Sequence, residues 1–337
     1  MRPGTTRILF TLALGCLCAA CGAERNGGSH VRLAVGGQTQ MVYLPTTLAQ
    51  ELGFYKEEGL DVELQDFEGG AKSLQALVGG SADVVSGFYD HTIQMAAEGR
   101  ELVAFVTMLR YPGLVLVSPP QAASAVAGID SLKGGIVGVT SPGSSSQMFL
   151  TYLLTRAGVP PDAVSVTAIG AGASAVAAVE SGRLNAAWLA DPAFTVVRKR
   201  NPGVRVLADL RTEEGTKQAF GVADYPAAVL YTSGAWLRAN RPTAERLARA
   251  IVKTLVWMNA HSEEEIAARV PAAIRGDDNA LYVEALRGSR PMFATDGRMP
   301  PEGAAVVRDV LATFNPKVHA ATIDLSKTYT NEFVSRP

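Results

Sequence analysis

Short runs of Val, Ile, Leu and Ala alternate along most of this chain with longer stretches in which apolar residues recur every three or four positions. The short runs read as buried strands and the longer stretches as amphipathic helices. Residues 31–35 form the first such run. A polar loop ending in Gln40 and Met41 follows, then a helix from about residue 43 or 45 to 56, with Pro45 tolerated in its first turn. Further strands are predicted at 61–65, 82–86, 102–107 and 114–117, with a helix over 90–98, and Pro119-Pro120 closes this segment. After a linker-like stretch at 121–128, strands are predicted at 136–140, 165–168, 186–189 and 204–207, interleaved with helices at 147–157 and 173–180. A last strand at 227–231 leads into a helical tail, in which Thr243 caps a long helix over 244–258 and helices at 263–269, 279–286 and 302–311 follow. This alternation specifies an α/β protein with mostly parallel sheets flanked by helices.

The pattern repeats. Residues 69–85 align without a gap on residues 171–187, each reading as glycine loop, helix, glycine stop and strand. The preceding elements match as well: strand 31–35 and Gln40-Met41 correspond to strand 136–140 and Gln147-Met148. Two lobes of one plan therefore follow in series. The helical tail has no counterpart in the second lobe, which predicts that it returns to the first. The chain then crosses between lobes twice, near Pro119 and near Asp224-Tyr225, and two crossings make a hinge. The expected division is residues 31–118 and 226–337 for lobe 1 and residues 119–225 for lobe 2. Ligands of such sheets bind beyond the carboxyl ends of the strands, where helix N-termini offer free N–H groups, so a ligand is expected between the lobes.

Length and charge narrow the classes. A chain of 337 residues suffices for two domains, and a net charge of −1 without a basic stripe argues against a nucleic-acid binder. Arg2 and Arg7, then the apolar residues 8–17, then small residues, make residues 1–20 a signal peptide too short to span a membrane securely. Cys18-Ala19-Ala20-Cys21 resembles the lipobox of bacterial lipoproteins, which implies lipidation of Cys21, a flexible tether over 21–30 and a chain held on the membrane surface. Cleavage near Ala20 or Ala23, leaving a free periplasmic protein, is the alternative. All three cysteines lie in this segment, so the body has no disulfide, thiol nucleophile or thiolate metal site; no cofactor or metal is expected.

The C-terminal loops supply the candidate ligand contacts. Gln38, Thr39 and Gln40 follow the first strand, and Ser144 and Ser145 occupy the matching loop of the second lobe, where a helix start serves either a cap or a ligand oxygen. Gly69, Gly70 and Gly172 permit either tight turns or close backbone approach to a ligand. Tyr89 and Trp188, at matched positions, would sandwich an apolar or aromatic solute. Asp90 and Asp191 would take an amine or hydroxyl, with helix capping as the competing role; His91 beside Asp90 is no triad without a nucleophile. Tyr225 belongs to the second crossing, as cleft wall or hinge packing.

Tyr43-Leu44-Pro45, the run Leu52-Gly53-Phe54-Tyr55-Lys56-Glu57-Glu58-Gly59-Leu60, Gly79-Gly80-Ser81-Ala82-Asp83 and Leu132-Lys133-Gly134 with Gly138-Val139 resemble the substrate-binding proteins of ABC importers, in the nitrate/sulfonate/taurine (NMT1/THI5-like) branch. The resemblance implies a two-lobed periplasmic-binding-protein fold of type II and an exported monomer without enzymatic activity. Such a monomer captures a small organic solute, a sulfonate-like or other organic anion, and delivers it to a permease and its ATPase. A neutral heteroaromatic such as a pyrimidine or flavin precursor is the rival solute, favoured by Tyr89 and Trp188. A periplasmic sensor is the rival role. The resemblance also embraces an enzyme that makes the thiamin pyrimidine with a cysteine cluster and histidine chemistry. Here the body holds no cysteine beyond Cys21, and its histidines are His30, His91, His261 and His319.

Overall fold

The computed structural model describes Met1 and residues 29–334; the signal peptide, Cys21 and nearly all of the tether lie outside the described residues. The most apolar runs become strands covered on both faces. Every residue of β3 (Val84–Phe88), β4 (Leu102–Thr107), β5 (Leu114–Ser118) and β8 (Ala186–Ala190) is buried. The strands β2 (Leu60–Asp66), β7 (Ser165–Ala168) and β9 (Arg205–Asp209) mix polar residues in and lie at sheet edges, half exposed. With β1 (Ser29–Val35), β6 (Ile136–Val139) and β10 (Ala228–Ser233) they make two five-stranded sheets, ordered β2-β1-β3-β10-β4 and β7-β6-β8-β5-β9.

The two orders are one plan written twice. In each sheet four strands run the same way, and the reversed one, β10 or β5, pairs antiparallel on both sides. Each reversed strand is the first that the chain lays down after arriving from the other lobe. This corrects the expected boundary: β5 pairs with β8 and β9, so the first crossing is residues 108–113 and not Pro119. A fully buried apolar strand carries no mark of the sheet it joins, and the double proline only ends β5. The second crossing does fall at Asp224-Tyr225, and the two crossings run side by side. Tyr225 N–H donates to the Arg110 carbonyl at 3.0 Å, Ala227 N–H to the Leu109 carbonyl at 3.1 Å, and Arg110 pairs with Asp224 at 2.7 Å.

The tail mainly covers the first lobe. Its long helix Arg241–Ala260 packs on the helices Leu44–Glu51 and Phe54–Glu57. Between them Glu58, nearly buried, accepts from Arg249 Nε at 2.9 Å and Lys253 Nζ at 2.7 Å. Gly53 and Gly59 supply the left-handed turns on either side, and the buried Tyr55 donates its O–H to the Thr46 carbonyl at 3.2 Å. The run 52–60 is thus part of a structural clasp. The tail also reaches the second lobe, against expectation. Helix Asn279–Ser289 packs on helix Ala193–Arg200 and adds ion pairs Arg198–Glu284 and Lys199–Asp278.

Candidate functional site

In each lobe the loops after the parallel strands meet those of the other. After β1 the chain turns through Gly36 to Gln40; after β6 it turns through Thr140 to Ser146. Gly36 leaves room for Tyr43, whose hydroxyl oxygen lies 2.7 Å from where a Cβ would stand, and Gln40 is buried and donates from Nε2 to the Gly36 carbonyl at 3.1 Å. Together these loops close on a narrow cleft of about 20 Å³, room for little more than one water. The first lobe lines it with Gly36, Gln40, Val42, Tyr43, Gly70 and Phe88; the second contributes Leu114, Thr140, Ser144, Ser145 and Ser146.

Hydrogen bonds cross the cleft directly. Ser144 Oγ accepts from Ala71 N–H at 3.0 Å and pairs with Ser141 Oγ at 2.7 Å. Ser145 Oγ donates to Asp90 Oδ1 at 2.8 Å. His91 Nε2 stands 3.4 Å from the Gly143 carbonyl. Met41 N–H donates to the Asp191 carbonyl at 2.8 Å. Glycines serve as seams between the lobes: a Cβ on Gly69 would stand 2.6 Å from Ser141 Oγ, and one on Gly172 2.7 Å from Thr39 Oγ1.

The expected residues separate into three groups. Gln40, Gly70, Ser144 and Ser145 line the cleft, with Asp90 and His91 fully buried beside them. Gln38, Thr39, Gly69 and Gly172 belong to the surrounding loops and seams; Gln38 N–H bonds Asp66. Tyr89, Asp191, Trp188 and Tyr225 are spent differently from expectation. Tyr89 donates or accepts with Thr328 Oγ1 and sets its ring edge-on to Tyr329, so it forms no sandwich with Trp188. The side chain that lines the cleft is its neighbour Phe88, the last residue of β3, whereas Tyr89 already has the helical backbone that opens the next element. The Asp191 carboxylate is fully engaged by Thr195 N–H and Oγ, by Arg211 Nη1 at 2.9 Å and by Ser289 Oγ at 2.7 Å. Trp188 and Tyr225 pack with their rings against Phe149, which also touches Phe88 and Phe220, in an aromatic wall shared by both lobes.

Of the two aspartates that the sequence offered as helix caps, only Asp191 satisfies a first-turn N–H, that of Thr195. The helix Asp90–Ala97 has Tyr89 at its cap with no side-chain bond. Asp90 instead keeps Oδ2 buried and without a partner. Burial pushes its carboxyl pKa up, offset in part by His91 and the Ser145 hydroxyl. Burial, with the Asp90 charge as a smaller contribution, also holds the phenols of Tyr43, Tyr225 and Tyr231 well above their ordinary value. Sequence reasoning missed Tyr43, Phe88 and Thr140. Tyr43 was legible only as a helix start, although it lies within reach of the first C-terminal loop. Among the described residues no three His, Cys, Asp or Glu gather closely enough to hold a metal ion, and no helix is long and apolar enough to cross a membrane.

Two α/β lobes of this strand order, joined by paired crossings with a cleft between them, define the periplasmic-binding-protein fold. The chain belongs to the NMT1/THI5-like family, whose model matches residues 40–265. A solved structure from Bordetella bronchiseptica RB50 is 39% identical, with a TM-score of 0.88 over 91% of this chain and 96% of that one. The fold is shared with the alkanesulfonate-binding protein SsuA from Xanthomonas axonopodis pv. citri bound to MOPS (16% identity, TM-score 0.70, 90% and 98% covered). It is shared also with the periplasmic nitrate-binding protein NrtA from Synechocystis PCC 6803 (17%, 0.70, 91% and 87%). A Bacillus subtilis chain named as a binding protein, YtlA, is 26% identical over 268 residues, covering 78% of this chain and 74% of its own length.

Proposed function

We propose that the chain is the extracytoplasmic solute-binding subunit of an ABC importer. It captures one small organic solute between its lobes and hands it to a permease driven by a partner ATPase. The observation that carries this reading is a cleft built half from each lobe and bridged by hydrogen bonds between them. Solute contact and lobe closure are then one event, and a solute that favours the closed form shifts the population toward it. The protein works as a monomer, held at the membrane by a lipid on Cys21 once residues 1–20 are removed. An enzyme reading has little support, because the cleft serines bond to Ala71 N–H and Asp90 rather than to a histidine that would activate them.

For the solute, an organic anion matches the names of the sulfonate- and nitrate-binding neighbours. The lining favours the other reading, a neutral heteroaromatic: it contains no Lys or Arg, and Tyr43 and Phe88 offer aromatic walls. Native mass spectrometry of the mature protein, followed by denaturation and identification of whatever is released, tests the proposal. One unchanged small molecule per chain is the expected result. Chemical conversion of that molecule on long incubation, or a chain that neither carries nor takes up any solute, would refute it.

A further inference from the structure

Residues 288–294 touch three parts of the molecule at once. Arg290 donates to the carbonyls of Met258, Asn259 and His261 at 2.9, 3.2 and 2.9 Å, closing the end of the long helix that covers lobe 1. Its neighbour Ser289, fully buried, donates to Asp191 Oδ2 of lobe 2 at 2.7 Å. Met292 and Ala294 then run along the first crossing. Arg110 N–H donates to the Met292 carbonyl and Ala294 N–H to the Met108 carbonyl, each at 2.8 Å, with Leu109 and Phe293 bridged antiparallel. Because the carbonyls of Leu109 and Arg110 accept from the second crossing, residues 108–110 lie in the middle of three chain segments. Packing there leaves no slack. A Cβ on Gly288 would stand 2.8 Å from Arg211 Nη1, which holds the same Asp191 carboxylate, and one on Gly113 would stand 2.5 Å from Met292 Sδ.

These contacts occupy one side of the molecule. The strands that adjoin the crossings, β10 with β4 and β5 with β9, form one end of each sheet, and β2 with β1 and β7 with β6 form the other. At that other end no chain passes between the lobes; they meet through the Ala71–Ser144 bond and the glycine seams at Gly69 and Gly172. Parting the lobes at the crossing end would instead strip a hydroxyl donor from a buried carboxylate, and hydrogen bonds to charged groups are the stronger kind. We infer that residues 288–294 are a third segment of the hinge, pinned to lobe 2 through Ser289 and Asp191, which holds the lobes together beside β4 and β9 and confines opening to the side of β2 and β7. Ser289 does not line the cleft; it is a positioning residue that fixes the axis about which the cleft opens. The inference goes beyond solute capture and is independent of which solute the cleft takes.

Spin-label distances test it, since the mature chain with Cys21→Ser has no other cysteine. Ala260→Cys with Lys217→Cys reports across the hinge side, and Gln75→Cys with Ala177→Cys across the mouth; all four positions are exposed. In double electron–electron resonance the mouth pair is expected to give a distance distribution at least twice as broad as the hinge pair. Ser289→Ala should at least double the width of the hinge pair. Arg198→Glu, which sets like charges against Glu284, should widen it as well, and Arg198→Glu with Glu284→Arg should return it to the wild-type width. Both residues of that pair are exposed, so this series decides if Ser289→Ala does not fold. A mouth pair no broader than the hinge pair, or a hinge pair as narrow in folded Ser289→Ala as in the wild type, would overturn the inference while leaving solute capture intact. So would an unchanged width in Arg198→Glu where that variant decides.

Discussion

Gly172 shows how closely the lobes are fitted. Its backbone sits at φ +57 and ψ −127, a region that only glycine occupies without strain, and Thr39 of the other lobe fills the space where a side chain would begin. Gly172→Ala therefore meets two penalties, backbone strain of about 1–3 kcal/mol and a clash that exists only when the lobes are together. The expected outcome is a lower melting temperature and a larger radius of gyration in small-angle scattering. If the scattering radius matched that of wild type, the seam would have no part in closure. The residue scale is also where the sequence was hardest to read. Tyr89 and Phe88 are neighbours of similar composition, yet one lines the cleft and the other bonds Thr328. That choice depends on where β3 gives way to the next helix and on a C-terminal segment some 240 residues away in sequence, neither of which a local pattern encodes. Asp191 was misread for the same reason: its partners Arg211 and Ser289 are distant in sequence.

At the scale of elements, the alternation of apolar runs was enough to lay out the strands, and their composition graded buried from half-exposed ones, although the fully buried β4 stands at a sheet edge. What it could not supply was membership. The internal echo correctly predicted that residues 69–85 and 171–187 fill equivalent places, and β3 and β8 do stand third in matching sheet orders. The strand β5 has no echo partner within the first 118 residues, because its equivalent is β10, which the chain makes more than a hundred residues later. The conserved plan is thus spatial where the sequence order is not. The clasp around Glu58 belongs to this scale as well. Burial works against its charge, but Lys253 and Arg249 outweigh that and hold the carboxyl below the usual carboxylate range. A depressed folded value means stability that is present above the unfolded pKa of about 4.3 and lost as pH falls through the folded one. Glu58→Gln should lower stability by about 1–3 kcal/mol near neutral pH, and the gap from wild type should close on acidification below about pH 4. Melting curves from pH 3 to 7 check this; a gap independent of pH would mean that the charge on Glu58 plays no part.

For the whole molecule, opening and closing is the motion that the paired crossings permit, and it can be trapped. Ala71 Cβ lies 3.5 Å from where a Cβ on Gly143 would stand, across the cleft and within the range that a disulfide requires, although Gly143 has a positive φ that a cysteine must tolerate. The described body has no cysteine of its own. Ala71→Cys with Gly143→Cys should therefore cross-link cleanly on oxidation and hold the lobes together. Solute exchange is then expected to slow at least tenfold in the oxidised form and to recover on reduction. Exchange at the wild-type rate in the oxidised, cross-linked protein would mean that solute reaches the cleft without the lobes parting.

The crossings also bear on how such a molecule diversifies. Everything between residues 108 and 227 enters and leaves the first lobe at two neighbouring backbone segments bonded to each other at Leu109–Ala227 and Arg110–Tyr225. The second lobe is therefore a cassette with adjoining ends. It can be exchanged for that of a relative by recombination at two points close in space, leaving the first sheet and its clasp untouched. A hybrid made this way would keep Asp90 and His91 from one parent and acquire the serine loop of the other. Each new pairing would set a different half-pocket against the same first lobe, provided that the tail's bonds to the second lobe, Ser289 to Asp191 and the ion pairs Arg198–Glu284 and Lys199–Asp278, are kept.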